Sequence, residues 1–235
     1  MSKRGTLLLS HVSLSEFAGA SDPQHCRDTE SFLERLLPNI YFTDFRFDEV
    51  HDSELAETDN TKRFWPSADL PLLRFFAERA QDTPLGFSMR GFIELAHKHR
   101  TALMQQTGES IKRIRETLME CRADIAYIEK TRTVRPDDSR TRTMVILGEL
   151  LRGYFLDEAA PISDGDVVDL LHAAMPVNCC DYVLLDGPWA ERVAKMKQRT
   201  DKTATKMPIA KCFSRRANGV RAFLSDIESF KLSYN

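Results

Sequence analysis

The sequence lacks a long apolar run: none approaches the length of about 20 residues that a helix needs to cross a bilayer. Its early apolar stretch, LLLSHVSL, is interrupted by Ser and His and is followed by no small-residue cleavage site. We interpret that stretch as a strand and not as a signal peptide. We therefore expect no membrane association and a cytoplasmic location. The 235 residues are enough for one substantial core, or for a core with a subdomain.

Cysteine is scarce, and its five positions include no CxxC pair and no spacing typical of a zinc site. The adjacent Cys179 and Cys180 are interpreted as small buried apolar residues at the entrance to a strand. The sequence also shows no convincing Ser–His–Asp or Cys–His arrangement. A covalent catalytic nucleophile is therefore not indicated.

A strong charge of one sign is absent as well, since the net charge is only -2. The distribution is less even: residues 192–221 contain ten Lys or Arg and one acid, Asp201. Such a stretch either holds phosphate groups or is a solvated face or mobile loop. On the first interpretation, five residues are candidates for nucleic-acid binding: Arg192, Lys195, Lys197, Arg199 and Lys202.

The order of the predicted elements favours an α/β fold. Strands are predicted at residues 6–12, 40–50 and 182–185, and a further short strand within 208–235. Ser13 is the predicted N-cap of a helix over 13–18, with Glu16 completing a capping box. Because helices separate these strands, we expect a mainly parallel sheet covered on both faces.

The middle of the chain is helical in pattern. Helices are predicted at 70–80, at 88–130 (one helix, or two broken near Gly108) and at 139–158. We therefore predict three parts: residues 1–67 as the first part of an α/β domain, 68–160 as a helical insertion, and 161–235 as the second part of the domain.

Four carboxylates are concentrated in GDVVDLLHAAMPVNCCDYVLLD: Asp166, Asp169, Asp181 and Asp186. Asp166 and Asp169 lie three apart in a predicted helix, on nearly the same face, and Asp186 ends an apolar strand. Ligands of open α/β sheets collect at the carboxyl ends of strands, so these acids suit a hard divalent cation. The simpler alternative is that all four are capping and surface residues.

The passage SDGDVVDLLHAAMPVNCCDYVLLDGPW resembles the second half of a PIN-like nuclease domain, in which an acidic pair opens a helix and the next strand ends in Asp. LLLSHVSLSEFAGASD resembles that family's strand leading into a helix with an inward Glu. The resemblance implies a three-layer α/β/α PIN-like domain with a large helical insertion. It also implies a divalent-metal-dependent ribonuclease that uses Mg²⁺ or Mn²⁺, with RNA favoured over DNA as the substrate.

Carried over by position, the resemblance makes Glu16, Asp166 and Asp186 catalytic residues and metal ligands. Asp169 and Asp181 become additional metal ligands. The metal would acidify a bound water for attack on phosphorus and neutralise charge on the phosphate oxygens.

One departure from the family pattern concerns its first strand, which ends in a metal-site Asp. This sequence begins at what would be the second strand. Either the chain is a fragment or shortened form, or another carboxylate such as Asp44 substitutes, or the site no longer binds metal productively. A partner chain or a second copy would then complete the sheet. Two alternatives to a nuclease stay open: a catalytically degenerate PIN-like binding or assembly module, and a helical interaction protein.

Overall fold

The structure is a computed structural model. It describes residues 5–20, 22–44, 47–56, 65–82, 84, 86–133, 135, 141–157, 159, 161–203, 207–216 and 218–230.

Short strands and longer helices alternate along the described chain. The strands are β1 (Leu7–Leu9), β2 (Ile40–Phe42), β3 (Tyr182–Leu185) and β4 (Lys211–Ser214). The helices are α1 (His11–Ala18), α2 (Pro23–Glu34), α3 (Phe47–Ala56), α4 (Leu70–Asp82), α5 (Phe92–Lys98), α6 (Arg100–Ala123), α7 (Ile125–Thr133), α8 (Arg142–Leu156), α9 (Asp164–Cys179), α10 (Gly187–Thr200) and α11 (Gly219–Ser229). Among these described helices, none combines the length and apolarity that crossing a membrane requires.

The chain forms two compact units. Unit 1 comprises Met1–Phe45, Pro66–Gly108 and Asp226–Asn235, and unit 2 comprises Arg46–Trp65 and Glu109–Ser225. These boundaries differ from the predicted ones, because the predicted insertion at 68–160 is divided between the two units at Gly108. The predicted division into a PIN-like domain and an insertion stays a prediction.

In unit 1, β1 pairs with β2 in parallel, with Leu7 opposite Ile40 and Leu9 opposite Phe42. Two predictions about this region are wrong. Helix α1 is capped by Ser10, whose side chain accepts a hydrogen bond from the Ser13 backbone N–H, so Ser13 is not the cap of a capping box with Glu16. The strand predicted at 40–50 ends at Phe42, and helix α3 begins at Phe47.

The core of unit 1 takes side chains from both strands and from helices α1, α2, α4 and α5. Phe42 of β2 stacks on Phe76 of α4 with ring centroids 5.1 Å apart, and Phe76 lies 4.6 Å from Phe92 of α5. Ile93 and Met89 are fully buried in the same cluster. Residues 66–108 therefore complete this core and are not a separate body beside it.

Two glutamates of α2 fix the start of α5. The Glu30 carboxylate accepts hydrogen bonds from the backbone N–H groups of Gly91 and Glu94, each at 2.7 Å. One turn later, Glu34 accepts from the Met89 N–H at 2.7 Å. Because the first N–H groups of a helix have no partner within the helix, these carboxylates replace the missing side-chain cap at Gly91.

All named elements of the described residues between 68 and 160 are helices, as the pattern predicts. The predicted break near Gly108 is wrong, because α6 continues through that residue. The breaks fall instead at His99 and at Asp124, whose side chain accepts from the backbone N–H groups that begin α7.

In unit 2, β3 pairs with β4 in parallel, from Tyr182 opposite Lys211 to Leu185 opposite Ser214. The residues of β3 match the predicted strand, and α10 connects it to β4. Each unit thus has helices around a pair of short parallel strands, which confirms the α/β character with parallel pairing. A single three-layer PIN-like sheet stays a prediction.

A buried polar network joins α3, α8 and α9 of unit 2. Arg142 donates to the Asn178 side chain at 2.6 Å and lies 3.6 Å from the Glu54 carboxylate. Glu54 also accepts from the Thr143 N–H at 2.8 Å, and Asn178 donates to the Thr143 hydroxyl at 2.7 Å. Both charged side chains are at most 4% exposed, and Arg142 compensates the buried charge of Glu54.

Candidate functional site

Asp186 follows β3 directly and caps the next helix. Its Oδ1 accepts a hydrogen bond from the Trp189 backbone N–H at 3.0 Å, and Pro188 fits the first turn of α10 because it needs no N–H partner there. The carboxylate therefore lies at the carboxyl end of β3, as predicted. Asp186 is exposed and accessible to a ligand.

Asp166 is held by groups on both sides of its carboxylate. Its Oδ2 accepts from the Ser163 N–H at 2.8 Å and from the Ser163 hydroxyl at 2.6 Å, which completes a capping box at the start of α9. Its Oδ1 accepts a short hydrogen bond from the Tyr154 hydroxyl. Desolvation alone would raise the pKa of Asp166, but the hydrogen bonds from Ser163 and Tyr154 and the charge of Arg192 lower it overall.

Asp169 lies one turn further along α9. Its pKa is raised, first by partial desolvation and then by the negative charges of Asp186 and Asp166, while a hydrogen bond from the Trp189 side chain opposes the shift. Asp186 and Asp166 are therefore near enough for their charges to act on the exposed Asp169. We refer to Asp166, Asp169 and Asp186 as the acidic cluster.

One arginine and two aromatic rings line the acidic cluster. The Arg192 guanidinium carbon lies 4.0 Å from the ring centroid of Tyr154 and 5.3 Å from that of Trp189. Both aromatic residues are buried, and each bonds to a carboxylate of α9. Burial, and then the hydrogen bond to Asp166, raise the pKa of Tyr154 well above its usual range, so it stays a proton donor at neutral pH.

A second arginine, Arg216, lies near Asp186. A Cβ atom on Gly187 would be 2.7 Å from the Arg216 Nε and 2.8 Å from its Cζ, so the Arg216 side chain covers the glycine that follows Asp186. Arg216 follows β4, whose carboxyl end meets that of β3 at the same sheet edge.

The remaining predicted metal ligands are not part of the acidic cluster as described. Asp181 precedes β3 and Asp186 follows it. An extended chain of five steps separates their Cα atoms by about 16 Å, so Asp181 lies at the opposite end of β3 from Asp186, and its role as a metal ligand stays a prediction. Glu16 is an exposed residue of α1 in unit 1, and its convergence with the cluster stays a prediction. Asp44, the suggested substitute, is a buried residue of unit 1.

The five predicted nucleic-acid-binding residues differ in their surroundings. Lys195, Lys197 and Lys202 are exposed on or just after α10. Arg199 donates to the buried Glu149 carboxylate at 2.6 Å, and Arg192 is stacked on aromatic rings. Of the five, the three lysines are therefore the exposed ones, and Lys197 lies 3.4 Å from the Asp201 carboxylate.

Within the described part of the chain, no group of three or more His, Cys, Asp or Glu side chains has the arrangement of a metal site. The carboxylates are nevertheless suitable metal ligands by type. A carboxylate has about four lone-pair positions, and the hydrogen bond from the Trp189 N–H to Asp186 Oδ1 uses one of them. The acidic cluster thus has the oxygen ligands that Mg²⁺ prefers, in an arrangement that serves helix capping.

The sequence patterns did not identify Tyr154, Trp189 or Arg216 as site residues. Each lies on a different element, and an isolated aromatic or arginine has no spacing signal that would link it to the carboxylates. The one available signal was the position of Trp189, three residues after Asp186 in the first turn of α10.

Comparison of the chain with protein-family models, with curated proteins and with solved structures finds no match. The resemblance to PIN-like nucleases therefore depends on the two short passages of sequence alone.

Proposed function

We propose that the protein is a divalent-metal-dependent nuclease that hydrolyses phosphodiesters at the acidic cluster. The observation that supports this most directly is that Asp186, at the carboxyl end of β3, and Asp166, on α9, both act through their charge to raise the pKa of Asp169. Like charges held together in this way favour a cation that neutralises them. The choice of RNA over DNA, and of Glu16 as a further ligand, rests on the family resemblance.

In this proposal Asp166, Asp169 and Asp186 hold Mg²⁺ or Mn²⁺ through carboxylate oxygens. When bound, the metal supplies a more acidic water and neutralises charge on the phosphate. The surrounding residues keep the ligands in place: Ser163 and Tyr154 orient Asp166, and the Trp189 side chain orients Asp169. Ligands at the starts of helices are held in a more exact geometry than ligands on loops.

The exposed lysines of α10 would contact the substrate backbone. Lys195 lies one turn beyond Arg192 on α10, and Lys202 follows the end of the helix. Contacts of this kind give affinity with little base selectivity, because they reach phosphates and not base edges. A strand from a partner chain or a second copy, added to one of the two-stranded pairs, remains part of the proposal.

A second candidate is a PIN-like binding or assembly module without catalysis. Two observations favour it: Asp166 is already bonded to Ser163 and Tyr154, and the positive charge of Arg192 lies close enough to lower its pKa. On this view, Arg192 and the helix starts compensate the carboxylates without a metal.

Cleavage of single-stranded RNA in Mn²⁺ and in EDTA distinguishes the two candidates. We expect cleavage by the parent protein only with Mn²⁺, and loss of cleavage in Asp169→Asn. The matched control is Asp164→Asn, an exposed acid in the same helix that pairs with Arg115 at 3.1 Å and lies outside the cluster. Mn²⁺ should also raise the melting temperature of the parent and the control more than that of Asp169→Asn.

Absence of both cleavage and Mn²⁺ stabilisation in the parent protein would reject the nuclease and favour the binding module. Cleavage that survives Asp169→Asn would show that the reaction occurs elsewhere in the molecule.

A further inference from the structure

Beside the acidic cluster, Arg216 is held in a fixed position by the end of β4. Its backbone N–H donates to the Ser214 hydroxyl at 3.1 Å, and the preceding N–H, of Arg215, donates to the Leu185 carbonyl of β3 at 3.1 Å. Ser214 and Leu185 are opposite each other in the parallel pair. The backbone that supports Arg216 is therefore attached to the same sheet edge as Asp186.

Gly219 lies close to the backbone of this segment. The Gly219 N–H donates to the Arg216 carbonyl at 3.0 Å. A Cβ at position 219 would lie 1.8 Å from the Ser214 carbonyl oxygen, so only glycine permits this approach. The turn that presents Arg216 is thus constrained on both sides.

The direction of the Arg216 side chain is indicated by Gly187. Three Arg216 atoms, Nε, Cζ and Cδ, lie within 3.0 Å of the place where a Cβ on Gly187 would be. Gly187 is buried beneath them, immediately after Asp186. The guanidinium therefore lies over the start of α10, against the residue that follows Asp186.

Arg216 differs from the other arginine of the site in its partners. Arg192 is stacked on Tyr154 and Trp189, and its charge acts on Asp166. Arg216 is exposed, and among the described residues it forms no ion pair within 4.0 Å. An exposed guanidinium that lies over Gly187, the residue after Asp186, and forms no ion pair in the described part of the chain has its donors available for an anion from outside.

We propose that Arg216 binds a backbone phosphate of the substrate and places it next to the acidic cluster. This inference rests on the proposed function, and it names a substrate-binding residue for that site. The guanidinium can bond two phosphate oxygens at once, a geometry that lysine does not reproduce. Gly187 serves as the surface that leaves room for this side chain.

The test measures binding of a short fluorescent single-stranded RNA by anisotropy in EDTA, which separates binding from cleavage. Arg216→Ala should raise the Kd about tenfold, and Arg216→Lys should recover part of that loss. The slope of log Kd against log salt should decrease by about 0.7, the value for one phosphate contact on a single strand. A merely structural role would not change that slope.

Two matched variants separate a local contact from general charge. Arg215→Ala removes the neighbouring exposed arginine, whose side chain is not against Gly187, and should change the Kd less than threefold. Gly187→Ala removes no charge, but its methyl group displaces the Arg216 side chain, so it should reproduce much of the loss. The melting temperature of each variant confirms that the fold is retained.

Equal losses in Arg215→Ala and Arg216→Ala, or no loss in Arg216→Ala, would overturn the inference, as would a parent protein that does not bind RNA. RNA binding that depends on Arg216, without Mn²⁺-dependent cleavage, would reject the nuclease and keep Arg216 as a phosphate-binding residue.

Discussion

The carboxylates of the acidic cluster should respond differently to the same substitution, although all three are aspartates. Asp166→Asn should lower the free energy of unfolding of the metal-free protein by about 1–2 kcal/mol. The carboxylate accepts two hydrogen bonds from Ser163 and one from Tyr154, and an amide has only one oxygen to replace both acceptors. The new NH₂ group would face a donor in one of these contacts.

Asp186→Asn provides the matched control. Asn is as good an N-cap as Asp, and the one oxygen it keeps can accept the hydrogen bond from the Trp189 N–H. We expect a change of less than about 0.5 kcal/mol. Asp169→Asn should instead stabilise the metal-free protein, because it removes a charge that Asp186 and Asp166 repel.

The dependence of folding stability on pH tests separately that Asp166 stabilises the metal-free protein and that the charge of Asp169 destabilises it. The pKa of Asp166 is lowered in the folded state, so its contribution is complete above the ordinary Asp value of about 3.9 and is lost as the pH falls through the folded pKa. The decrease in the free energy of unfolding caused by Asp166→Asn should therefore become smaller as the pH falls. The pKa of Asp169 is raised, so its unfavourable charge appears only as the pH rises through the folded pKa. The gain in Asp169→Asn should disappear as the pH falls to about 4.

Urea unfolding followed by circular dichroism, between pH 3 and pH 7 in EDTA, measures all three variants. If Asp166→Asn matches the parent protein in stability at pH 7, the capping box and the Tyr154 hydrogen bond do not stabilise the fold as argued. If Asp169→Asn is the most destabilised variant, the cluster is not a site of repulsion.

Three further predictions concern neighbouring groups. Glu54→Gln should lower the free energy of unfolding by about 3 kcal/mol, because it removes the charge of a buried carboxylate that faces Arg142 and accepts a hydrogen bond from the Thr143 N–H; urea unfolding of Glu54→Gln/Arg142→Met should show partial recovery. Tyr154→Phe should cost about 1 kcal/mol in the same assay and weaken Mn²⁺ stabilisation, since Asp166 loses a donor; an unchanged metal response would contradict this role. Glu30→Gln should lower the free energy of unfolding by about 1 kcal/mol and speed amide hydrogen exchange at the start of α5. Exchange as slow as in the parent protein would show that the Glu30 cap is dispensable.

Local sequence patterns predicted the elements whose signals are unambiguous. The run YVLL, with no polar interruption, gives β3 its exact residues, and Asp166 and Asp169 lie on a helix, α9, as predicted. The start of α1 was missed because Ser10 and Ser13 are equally good caps by type. Residues 47–50 were assigned to a strand or extended edge from alternating aromatics, whereas they begin α3, which packs on α8 through a contact that is distant in sequence.

The candidate site shows the same limit. Spacing along α9 and the end of β3 was sufficient to bring Asp166, Asp169 and Asp186 together. Tyr154 of α8, which holds Asp166, and Arg216, which lies against Gly187 after β4, come from elements whose packing no local period predicts. The donors around a carboxylate decide whether it is a cap, a ligand or both, so sequence alone could not assign its role.

The position of α3 has a consequence for how the chain is made. Helix α3 belongs to unit 2, yet in sequence it lies between two segments of unit 1. During synthesis Glu54 emerges long before Arg142, so a nascent chain has no partner for this carboxylate until α8 follows. The first residues of unit 1 likewise wait for 66–108 to supply Phe76 and Ile93. Neither unit can finish folding as a continuous stretch, and a fragment that begins at residue 109 would retain Arg142 without Glu54.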